Sequence, residues 1–443
     1  MDVSFLLNVL LTNKDADAVM TEKKIYSYSD IYGEYVIARQ LLEQNNINIG
    51  CIVSIISDFS AKAIAILIAL IEKDCILVPI SPVVKEKDKF ISISQTEFVV
   101  DLCDEHPRIY ITDIVPNHEM LLNLKGKAPG LLIFTSGTTG EPKAVLHNLC
   151  FLLEKYKKPG KILRTITFLL FDHIAGFNTL FHTLSNAGQF VLINSRDVDV
   201  VCKMIERFRV ELLPTSPTFL NLLLLNKMFE KYDLSSLKFI SYQTEPMPQS
   251  TLDLLHRIFP NTVLKQGYGL SEVGAVSTKS ENSDSLWIKI GGDGVETKIV
   301  DGILFIRTKS AMLGYLNAPN PFDDDGWFNT KDKVEQREDG YIKILGRITD
   351  IINVGGEKVY PIEVEEILLR NKGVKDVHVF GEKNQLTGNV VVAEISVSAE
   401  NNNKDFIKGL RSFCVENLER FKIPAKFILV EHDLYSERFK RKR

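Results

Sequence analysis

Apolar runs of two lengths alternate through the first part of the chain. Short runs of strand length occupy residues 25–28, 51–56 and 75–79, and longer runs with helical spacing fill residues 31–42 and 61–71. Strands that alternate with helices form βαβ units, in which neighbouring strands run parallel. The pattern therefore predicts an α/β domain built on a largely parallel sheet.

The pattern changes in the second half of the chain. Residues 301–308 and 335–345 are typical of strands next to Asp-Gly turns, which fall at Asp301 and Asp339. Asp-Gly is a strong hairpin signal, because glycine tolerates the positive φ that such turns require. The sheet is therefore predicted to become antiparallel here. Between the two halves, a buried strand is predicted over residues 165–171.

The composition is that of a globular protein with more than one core. The chain has 443 residues, of which 45% are hydrophobic, and this length favours two domains. The formal net charge of −4 argues against a general nucleic-acid binder, although five of the last six residues are basic. Six cysteines lie far apart without paired spacing, so neither a zinc site nor a disulfide framework is predicted, and a reducing cytoplasm fits.

A membrane anchor is not predicted. The first eleven residues lack a basic leader and are typical of a short amphipathic helix, not of a signal peptide. The longest apolar run, residues 63–71, has nine residues, far below the length of a membrane span. The sequence therefore predicts a chain without a transmembrane segment.

Residues 135–145, with the sequence TSGTTGEPKAV, concentrate hydroxyls, glycines and one lysine behind a short apolar run. Gly137 and Gly140 allow the backbone to turn at positive φ and to bring its N–H groups close to an anion. Side chains add hydroxyl donors and one positive charge. These side chains are Thr135, Ser136, Thr138, Thr139 and Lys143. A phosphate-binding loop is therefore predicted at the end of a buried strand over residues 130–134.

The pattern of the common P-loop does not fit, because Glu141 and Pro142 separate Gly140 from Lys143. The eleven residues instead resemble, nearly letter for letter, the phosphate loop of the adenylate-forming superfamily. That superfamily contains acyl- and aryl-CoA synthetases, carrier-protein ligases and the adenylation domains of peptide synthetases. The resemblance implies that this loop holds the β- and γ-phosphates of ATP. A polar surface loop is the alternative.

A second motif, QGYGLSE, lies at residues 266–272. It resembles the family's Tyr-Gly-x-Thr-Glu motif, with a serine that keeps the hydroxyl of the threonine. The resemblance implies that Tyr268 stacks on adenine and that Glu272 holds Mg²⁺ on the triphosphate, a role that suits a carboxylate. It also implies that the backbone of Gly267 and Gly269 lines the carboxylate channel and that Ser271 contacts the α-phosphate.

Further segments match the family on the nucleotide side. Residues 326–332 resemble its Gly-Trp…Thr-Gly-Asp motif, with Lys331 in place of glycine. The match implies that Asp332 accepts both ribose hydroxyls, and a bare surface aspartate is the alternative. Thr244 and Glu245 match the family's adenine-side loop, and Arg347 matches its ribose or phosphate contact.

The segment DHIAGF resembles the family's substrate-side motif. There a histidine, matched by His173, borders the carboxylate pocket, and a glycine, matched by Gly176, lets the following helix pack closely. A structural hydrogen bond is the alternative for His173. Asp172 lies about one residue from the carboxylate that binds the substrate amino group in amino-acid-activating relatives. Asp172 could therefore bind the amino group of a substrate or cap the helix that starts nearby, and the sequence leaves both roles open.

The segment around Thr349 resembles the joint between the family's large domain and its small mobile lid. The resemblance implies a large ATP- and carboxylate-binding domain of βαβ-type sheets over residues 1–348. It implies an α+β lid over residues 349–443, with the hinge at Thr349. Relatives carry Gly-Lys near the C-terminus, which this chain lacks, and the local pattern favours Lys440 as the catalytic lid lysine. The alternatives are Arg441, Lys442 and a solvated basic tail.

These matches imply an enzyme that adenylates a fatty, short acyl or aryl acid, releases pyrophosphate and transfers the acyl group to a thiol. The thiol is coenzyme A or the phosphopantetheine of an acyl carrier protein, and ATP and Mg²⁺ are required. Cations are needed because an anionic carboxylate attacks a polyanion. The catalytic groups are assigned to Lys143, His173, Glu272 and Lys440. An amino-acid:carrier-protein ligase and a non-catalytic nucleotide-binding relative are open alternatives, whereas a kinase or simple ATPase lacks motif support.

Overall fold

Three seven-stranded sheets and one five-stranded sheet organise the computed structural model, which describes residues 4–104, 106–136, 141–432 and 434. The helices are α1 (Ser4–Thr12), α2 (Tyr28–Gln44), α3 (Ala61–Glu72), α4 (Lys87–Ile93), α5 (Glu119–Leu124), α6 (Leu149–Leu153), α7 (Ile174–Ser185), α8 (Val198–Phe208), α9 (Pro217–Leu225), α10 (Met228–Lys231), α11 (Gln249–Ile258), α12 (Pro361–Leu369) and α13 (Lys404–Asn417). Short 3₁₀ helices cover Glu154–Lys157, Ala399–Asn401 and Arg420–Lys422.

The strands follow in chain order. They are β1 (Asp17–Met20), β2 (Ile25–Ser27), β3 (Ile52–Ile56), β4 (Ile76–Ile80), β5 (Phe98–Asp101), β6 (Arg108–Ile111), β7 (Gly130–Ser136), β8 (Pro142–Asn148), β9 (Arg164–Ile166), β10 (Gln189–Val191), β11 (Leu212–Thr215), β12 (Phe239–Tyr242), β13 (Val263–Gln266), β14 (Tyr268–Leu270), β15 (Gly274–Ser280), β16 (Ile288–Gly291), β17 (Val295–Val300), β18 (Ile303–Thr308), β19 (Gly314–Tyr315), β20 (Phe328–Gln336), β21 (Ile342–Arg347), β22 (Ile352–Val354), β23 (Glu357–Val359), β24 (Val374–Asn384), β25 (Gly388–Val397) and β26 (Lys426–Val430).

The first sheet has the strand order β19-β8-β7-β4-β3-β5-β6, and β5, β3, β4 and β7 run parallel within it. Helix α3 connects β3 to β4. Ser60 accepts a hydrogen bond from Ala63 N and so caps its start, and residues 61 and 63–71 are buried. A helix that is apolar all round must be enclosed by other elements. The predicted βαβ unit is confirmed, and α3 lies at the centre of the largest core cluster.

The second sheet has the order β13-β12-β11-β9-β10-β1-β2 and is parallel except for the β1–β2 pair. The strand predicted over residues 165–171 is wrong in length, because β9 ends at Ile166. Thr167 N still donates to Val191 O at 3.0 Å, and then the chain leaves the sheet and turns into α7. Residues 168–171 stay buried there. Their apolar character therefore reflects packing, not strand pairing.

The third sheet, β14-β15-β16-β21-β20-β18-β17, is antiparallel throughout, as the Asp-Gly turns predicted. The β17–β18 turn has Asp301 at φ +51° and Gly302 at φ +70°. Gly340, in the turn between β20 and β21, has φ +82°. The predicted change from parallel to antiparallel strands is confirmed.

The last part of the described chain forms its own small sheet. Strands β23, β22, β25 and β24 are antiparallel neighbours, and β26 adds to β25 in parallel. Helices α12 and α13 cover a separate apolar cluster on this sheet. The structure therefore has the predicted α/β class, with a large sheet-rich part followed by a small α+β part.

Candidate active site

The phosphate loop connects the two strands of an antiparallel hairpin, β7 and β8. Thr135 pairs with Lys143, and Ser136 pairs with Pro142, so the ladder holds the two ends of the loop side by side. Asn317 fixes the far strand, because its Oδ1 accepts from Ala144 N at 2.9 Å and its Nδ2 donates to Pro142 O at 2.8 Å. Outside the described residues lie Gly137, Thr138, Thr139, Gly140 and the side chain of Ser136.

Lys143, Glu272 and Tyr315 form a cluster that we call the phosphate-side corner. The Tyr315 hydroxyl donates to Glu272 Oε1 across 2.6 Å. Lys143 Nζ lies 5.1 Å from the centre of the Tyr315 ring, within range of a cation–π attraction. Burial and then the Glu272 carboxylate raise the pKa of Tyr315, so its hydroxyl keeps its proton. The structure thus brings together the predicted phosphate lysine and the predicted metal carboxylate.

The two-residue strand β19 places Tyr315 in this corner. Tyr315 pairs with Val145 and Gly314 pairs with Leu146 on β8. On the other side, Met312 N donates to Glu272 O at 2.8 Å. The segment before Tyr315 therefore joins the phosphate hairpin to the turn that carries Glu272.

His147 makes a second connection between the same two parts. It is fully buried on β8, and its Nε2–H donates to Ser271 O across 2.6 Å. Burial lowers the pKa of His147 to about 4, so the ring is neutral at physiological pH. Because Ser271 precedes Glu272 directly, this bond anchors Glu272, the predicted metal carboxylate, to the phosphate hairpin.

Tyr268, Asp332 and Arg347 form a second cluster, the ribose-side corner. The Tyr268 hydroxyl donates to Asp332 Oδ2 across 2.5 Å, and Arg347 Nε lies 3.5 Å from Asp332 Oδ1. Tyr268 and Asp332 are buried, whereas the Arg347 side chain is 51% exposed. Lys331 has φ +60°, a conformation that glycine adopts without strain. Lys331 thus adopts a backbone conformation typical of glycine. The replacement of glycine by lysine therefore does not prevent the contact between Asp332 and Tyr268.

The two corners are neighbours in the fold. Tyr268 lies on β14, and Glu272 lies in the turn that follows this strand, four residues further along the chain. Arg347 lowers the pKa of Tyr268 and the pKa of Tyr315, against the larger effects that raise both. The groups predicted for ribose, adenine and metal therefore lie near one another.

The predicted adenine-side loop follows β12. Thr244 has φ +81°, which is uncommon for a β-branched residue. Glu245 Oε2 accepts from Thr218 Oγ1 at 2.6 Å and from Thr218 N at 3.3 Å, so the start of α9 fixes this carboxylate. A Cβ on Gly267 would lie 2.9 Å from Gln243 Oε1, which shows how closely the two motifs approach.

The acid-side residues lie where β9 leads into α7. His173 is the N-cap residue of α7 and is half-buried. A Cβ on Gly176 would lie 1.9 Å from Leu170 O, so only glycine allows the close packing predicted here. Asp172 is not the N-cap residue. It is buried, and its Oδ2 accepts from Ser81 N at 3.4 Å, which connects the end of β4 to the start of α7.

The predicted hinge lies in a turn after β21. Thr349 is exposed, and its Oγ1 donates to Asp350 Oδ1 at 3.1 Å, while Asp350 N donates to Arg347 O at 3.0 Å. The small part of the chain contacts the large part beyond this turn, because Asn221 Nδ2 donates to Lys375 O at 3.2 Å. Outside the described residues lie Lys440 and its alternatives Arg441 and Lys442.

A metal ion at this site needs ligands from the substrate. In the described part of the chain, no group of three or more His, Cys, Asp or Glu side chains could enclose a metal. Mg²⁺ is commonly held by one or two carboxylates together with substrate phosphates. Glu272 is half-buried beside Lys143, next to the predicted phosphate loop, so its carboxylate fits that role.

Sequence reasoning missed Tyr315, His147 and Thr218. His147 carries a signal that could have found it, because a polar residue in an apolar strand needs a buried hydrogen-bond partner. Tyr315 carries no local signal, since β19 has only two residues and its partner Glu272 lies in another motif.

Comparison with known families identifies the chain. Residues 9–316 match the family of AMP-binding enzymes, and residues 363–438 match the AMP-binding enzyme C-terminal domain. The first match alone covers more than half of the chain. The protein therefore belongs to the AMP-binding enzyme family, which confirms its resemblance to the adenylate-forming superfamily.

Individual relatives are more distant. The chain is 28% identical over 320 residues to 4-coumarate–CoA ligase 3 of Arabidopsis thaliana, which covers 64% of this chain and 57% of that protein. It is 28% identical over 334 residues to indoleacetate–CoA ligase of Aromatoleum aromaticum, which covers 69% of this chain and 64% of the relative. The chain thus matches less than two thirds of the length of these relatives.

Solved structures confirm the fold. An anthranilate CoA ligase in complex with anthranoyl-AMP superimposes with a TM-score of 0.83 at 20% identity, covering 99% of this chain and 95% of that one. An o-succinylbenzoate CoA synthetase from Bacillus subtilis superimposes with a TM-score of 0.79 at 20% identity, covering 99% and 96%. Within the described residues, no helix has the length and apolar character needed to cross a membrane.

Proposed function

We propose that this protein activates a carboxylic acid with ATP and transfers the resulting acyl group to a thiol. Membership of the AMP-binding enzyme family and the two relatives named as CoA ligases support this function. The observation that carries the proposal is the proximity of the phosphate-side and ribose-side corners. Together they offer a cation and a metal carboxylate for the triphosphate beside a buried carboxylate for the ribose.

The nucleotide spans the two corners. Asp332 accepts the ribose hydroxyls, Arg347 contacts ribose or phosphate, and Tyr268 stacks on the adenine. The phosphates are bound by Thr135, Ser136, Gly137, Thr138, Thr139, Lys143 and Ser271. The adenine side is completed by Thr244 and Glu245, and the backbone of Gly267 and Gly269 lines the carboxylate channel. The bond from Tyr268 to Asp332 supports this assignment, because it holds the ring and the carboxylate in place before the nucleotide binds.

The first half-reaction needs no protein nucleophile. A carboxylate oxygen of the substrate attacks the α-phosphorus, the bond to the β-phosphate breaks, and pyrophosphate leaves. Lys143 and the loop hydroxyls stabilise the charge that develops on the pyrophosphate. When bound on Glu272 and the phosphates, Mg²⁺ supplies further charge neutralisation.

The acid lies at the start of α7. His173 and Gly176 border its carboxylate, and Asp172 lies next to them. In the second half-reaction a thiolate attacks the acyl carbon, and AMP leaves with the carboxylate oxygen. The small domain turns on Thr349 between the half-reactions, and Lys440 contacts the carboxylate and the α-phosphate in the first of them. The domain boundary is at residues 348 and 349. The acceptor is coenzyme A, as in the named relatives, or the phosphopantetheine of a carrier protein.

A pyrophosphate-release screen over a panel of carboxylic acids tests the proposal. Release is measured without a thiol, then with coenzyme A, then with a phosphopantetheine-loaded carrier protein. We expect acid-dependent pyrophosphate release and a thioester with one of the two thiols. ATP binding without any release would identify a non-catalytic relative, and release of inorganic phosphate would identify a different reaction.

The same assay identifies the lid cation. Lys440→Ala is compared with Arg441→Ala and Lys442→Ala, which have the same loss of one charge in the same segment. We expect Lys440→Ala alone to lower the rate of adenylate formation by about 100-fold, a loss of transition-state stabilisation typical of one electrostatic donor. An equal, small effect of all three variants would show a solvated tail.

A further inference from the structure

One short segment of the chain reaches both charged groups of the phosphate-side corner. Strand β19 and the residues after it lie against β8, the strand that carries Lys143. Tyr315, on β19, donates its hydroxyl to Glu272. Asn317, two residues later, binds the backbone on both sides of Lys143. This segment therefore connects the predicted metal carboxylate to the predicted phosphate lysine.

The side chain of Asn317 continues the ladder between β19 and β8. The backbone N of Leu316 donates to Ala144 O at 3.0 Å. One residue further along, Asn317 Oδ1 accepts from Ala144 N at 2.9 Å, and its Nδ2 donates to Pro142 O at 2.8 Å. An amide side chain has both an N–H donor and a C=O acceptor, as a peptide group has. Asn317 thus adds one more rung to the ladder, at the end that leads to the phosphate loop.

The backbone around Lys143 is held from two sides. On one side it pairs with Thr135 on β7, and on the other side the amide of Asn317 binds the residues before and after it. Lys143 is half-buried, and Ala144 is fully buried. A buried backbone N–H without a partner is costly, so Ala144 N requires the acceptor that Asn317 supplies.

Two contacts determine where the ammonium group of Lys143 lies. Within the described part of the chain, no Asp or Glu side chain forms an ion pair with Lys143, and its Nζ lies 5.1 Å from the centre of the Tyr315 ring. A lysine head group is carried on a flexible four-carbon stem, so its reach depends on the position of its backbone. Asn317 sets that backbone, and the Tyr315 ring attracts the charge at the other end.

We propose that Asn317 is a positioning residue for Lys143, because its amide holds β8 where the lysine Nζ can reach the leaving pyrophosphate. The inference rests on the proposed function, since it concerns the same site. A displacement of about 1 Å in a group that acts on the reacting atoms lowers a rate by about 100-fold. A role in folding alone would affect stability but would not act through Lys143.

Asn317→Leu tests the amide, because it keeps the approximate size of the side chain, adds no charge and removes both contacts. We expect kcat for pyrophosphate release to fall by about 10- to 100-fold. KM for the acid should change by less than about twofold, since the acid is bound at the start of α7. The matched control is Asn320→Leu in the same segment, where Asn320 Oδ1 accepts from Phe322 N at 3.2 Å and not from the hairpin.

The control variant should change neither value. Kinetics of Asn317→Leu equal to those of the wild type would overturn the inference. An equal fall in kcat for Asn320→Leu would overturn it as well, because the loss would then come from the segment as a whole and not from the amide.

A double-mutant cycle shows whether Asn317 acts through Lys143. Lys143→Met removes the charge and keeps the length of the side chain. We expect Asn317→Leu to lower kcat by less than about twofold in the Lys143→Met background, because the interaction it supports is already lost. The same 10- to 100-fold loss in both backgrounds would overturn the inference and leave the proposed function intact. Absence of pyrophosphate release from the wild type with any acid would overturn the proposed function itself.

A binding measurement covers a variant that folds poorly. Thermal unfolding of the wild type and of Asn317→Leu is followed with and without inorganic pyrophosphate and Mg²⁺. We expect pyrophosphate to raise the Tm of the wild type and to raise that of Asn317→Leu less, because a ligand stabilises the state that binds it. The same rise in both proteins would contradict a role of Asn317 at the phosphates.

Discussion

The phosphate-side and ribose-side corners are built from the same parts but assembled differently. In each, a tyrosine hydroxyl donates to a carboxylate and a cation lies beside the pair. Tyr268, Asp332 and Arg347 all lie on the third sheet. The phosphate-side corner combines Glu272, from the β14–β15 turn of that sheet, with Lys143 and Tyr315 from the first sheet.

This difference separates two ways of placing a carboxylate. The register of neighbouring strands sets Asp332 opposite Arg347, so one sheet is enough. Glu272 depends on how two sheets dock, and the bonds of His147 and Met312 hold that junction. Glu272, which we propose for catalysis, is thus positioned across the junction of two sheets. Asp332, which we propose for ribose binding, is positioned within one sheet.

The largest effect should come from exchanging the two carboxylates for amides. Glu272→Gln is expected to lower kcat for pyrophosphate release by about 1,000-fold, since metal stabilisation of transition-state charge contributes several kcal/mol. Asp332→Asn is expected to raise KM for ATP by about 10- to 100-fold with a much smaller change in kcat, because ribose binding is shared by ground and transition states. Steady-state kinetics at saturating Mg²⁺ measures both. The same pattern in both variants would remove the distinction between the corners.

Acid should weaken the phosphate-side corner through His147. The pKa of His147 is about 4 in the folded protein and 6.5 as its ordinary value. The unfolded chain therefore binds more protons, and stability falls as the pH falls from about 6.5 to about 4. The loss from this residue is about 3 kcal/mol in the free energy of unfolding. Urea unfolding at pH 6.5 and pH 4 measures it.

The matched variant for this prediction is His147→Gln, which keeps an N–H donor but does not titrate. We expect its free energy of unfolding to depend less on pH than that of the wild type, by about the same 3 kcal/mol. If wild type and variant lose equal stability over this range, His147 does not titrate as a buried group. Other contacts would then stabilise the junction between the phosphate hairpin and the turn that carries Glu272.

The smallest effect should come from removing one hydroxyl in each corner. Tyr315→Phe is expected to raise the Mg²⁺ concentration for half-maximal activity by about tenfold, because Glu272 loses a hydrogen bond to a charged group. Tyr268→Phe should raise KM for ATP a few-fold and leave the Mg²⁺ dependence unchanged. Titrations of Mg²⁺ and of ATP distinguish the two. An unchanged Mg²⁺ dependence in Tyr315→Phe would show that this tyrosine does not position the carboxylate.

Local sequence patterns predicted the parts of the fold that neighbouring residues decide. The apolar run of α3, the βαβ start and the Asp-Gly turns were correct, because helix and strand periods and turn chemistry act over a few residues. The strand over residues 165–171 failed for the opposite reason. Its apolar residues are buried between elements that are distant in sequence, and periodicity does not distinguish such packing from a strand.

The sequence by itself determined the family, the fold class and the residues of the nucleotide motifs, since each motif is a short run whose letters are read locally. Only the tertiary structure decided which distant residues support them. Tyr315 reaches Glu272, and His147 reaches the residue before it, across separate elements. These contacts depend on strand register and on the docking of sheets. Both are set by burial summed over the whole chain, so no single stretch of sequence carries them.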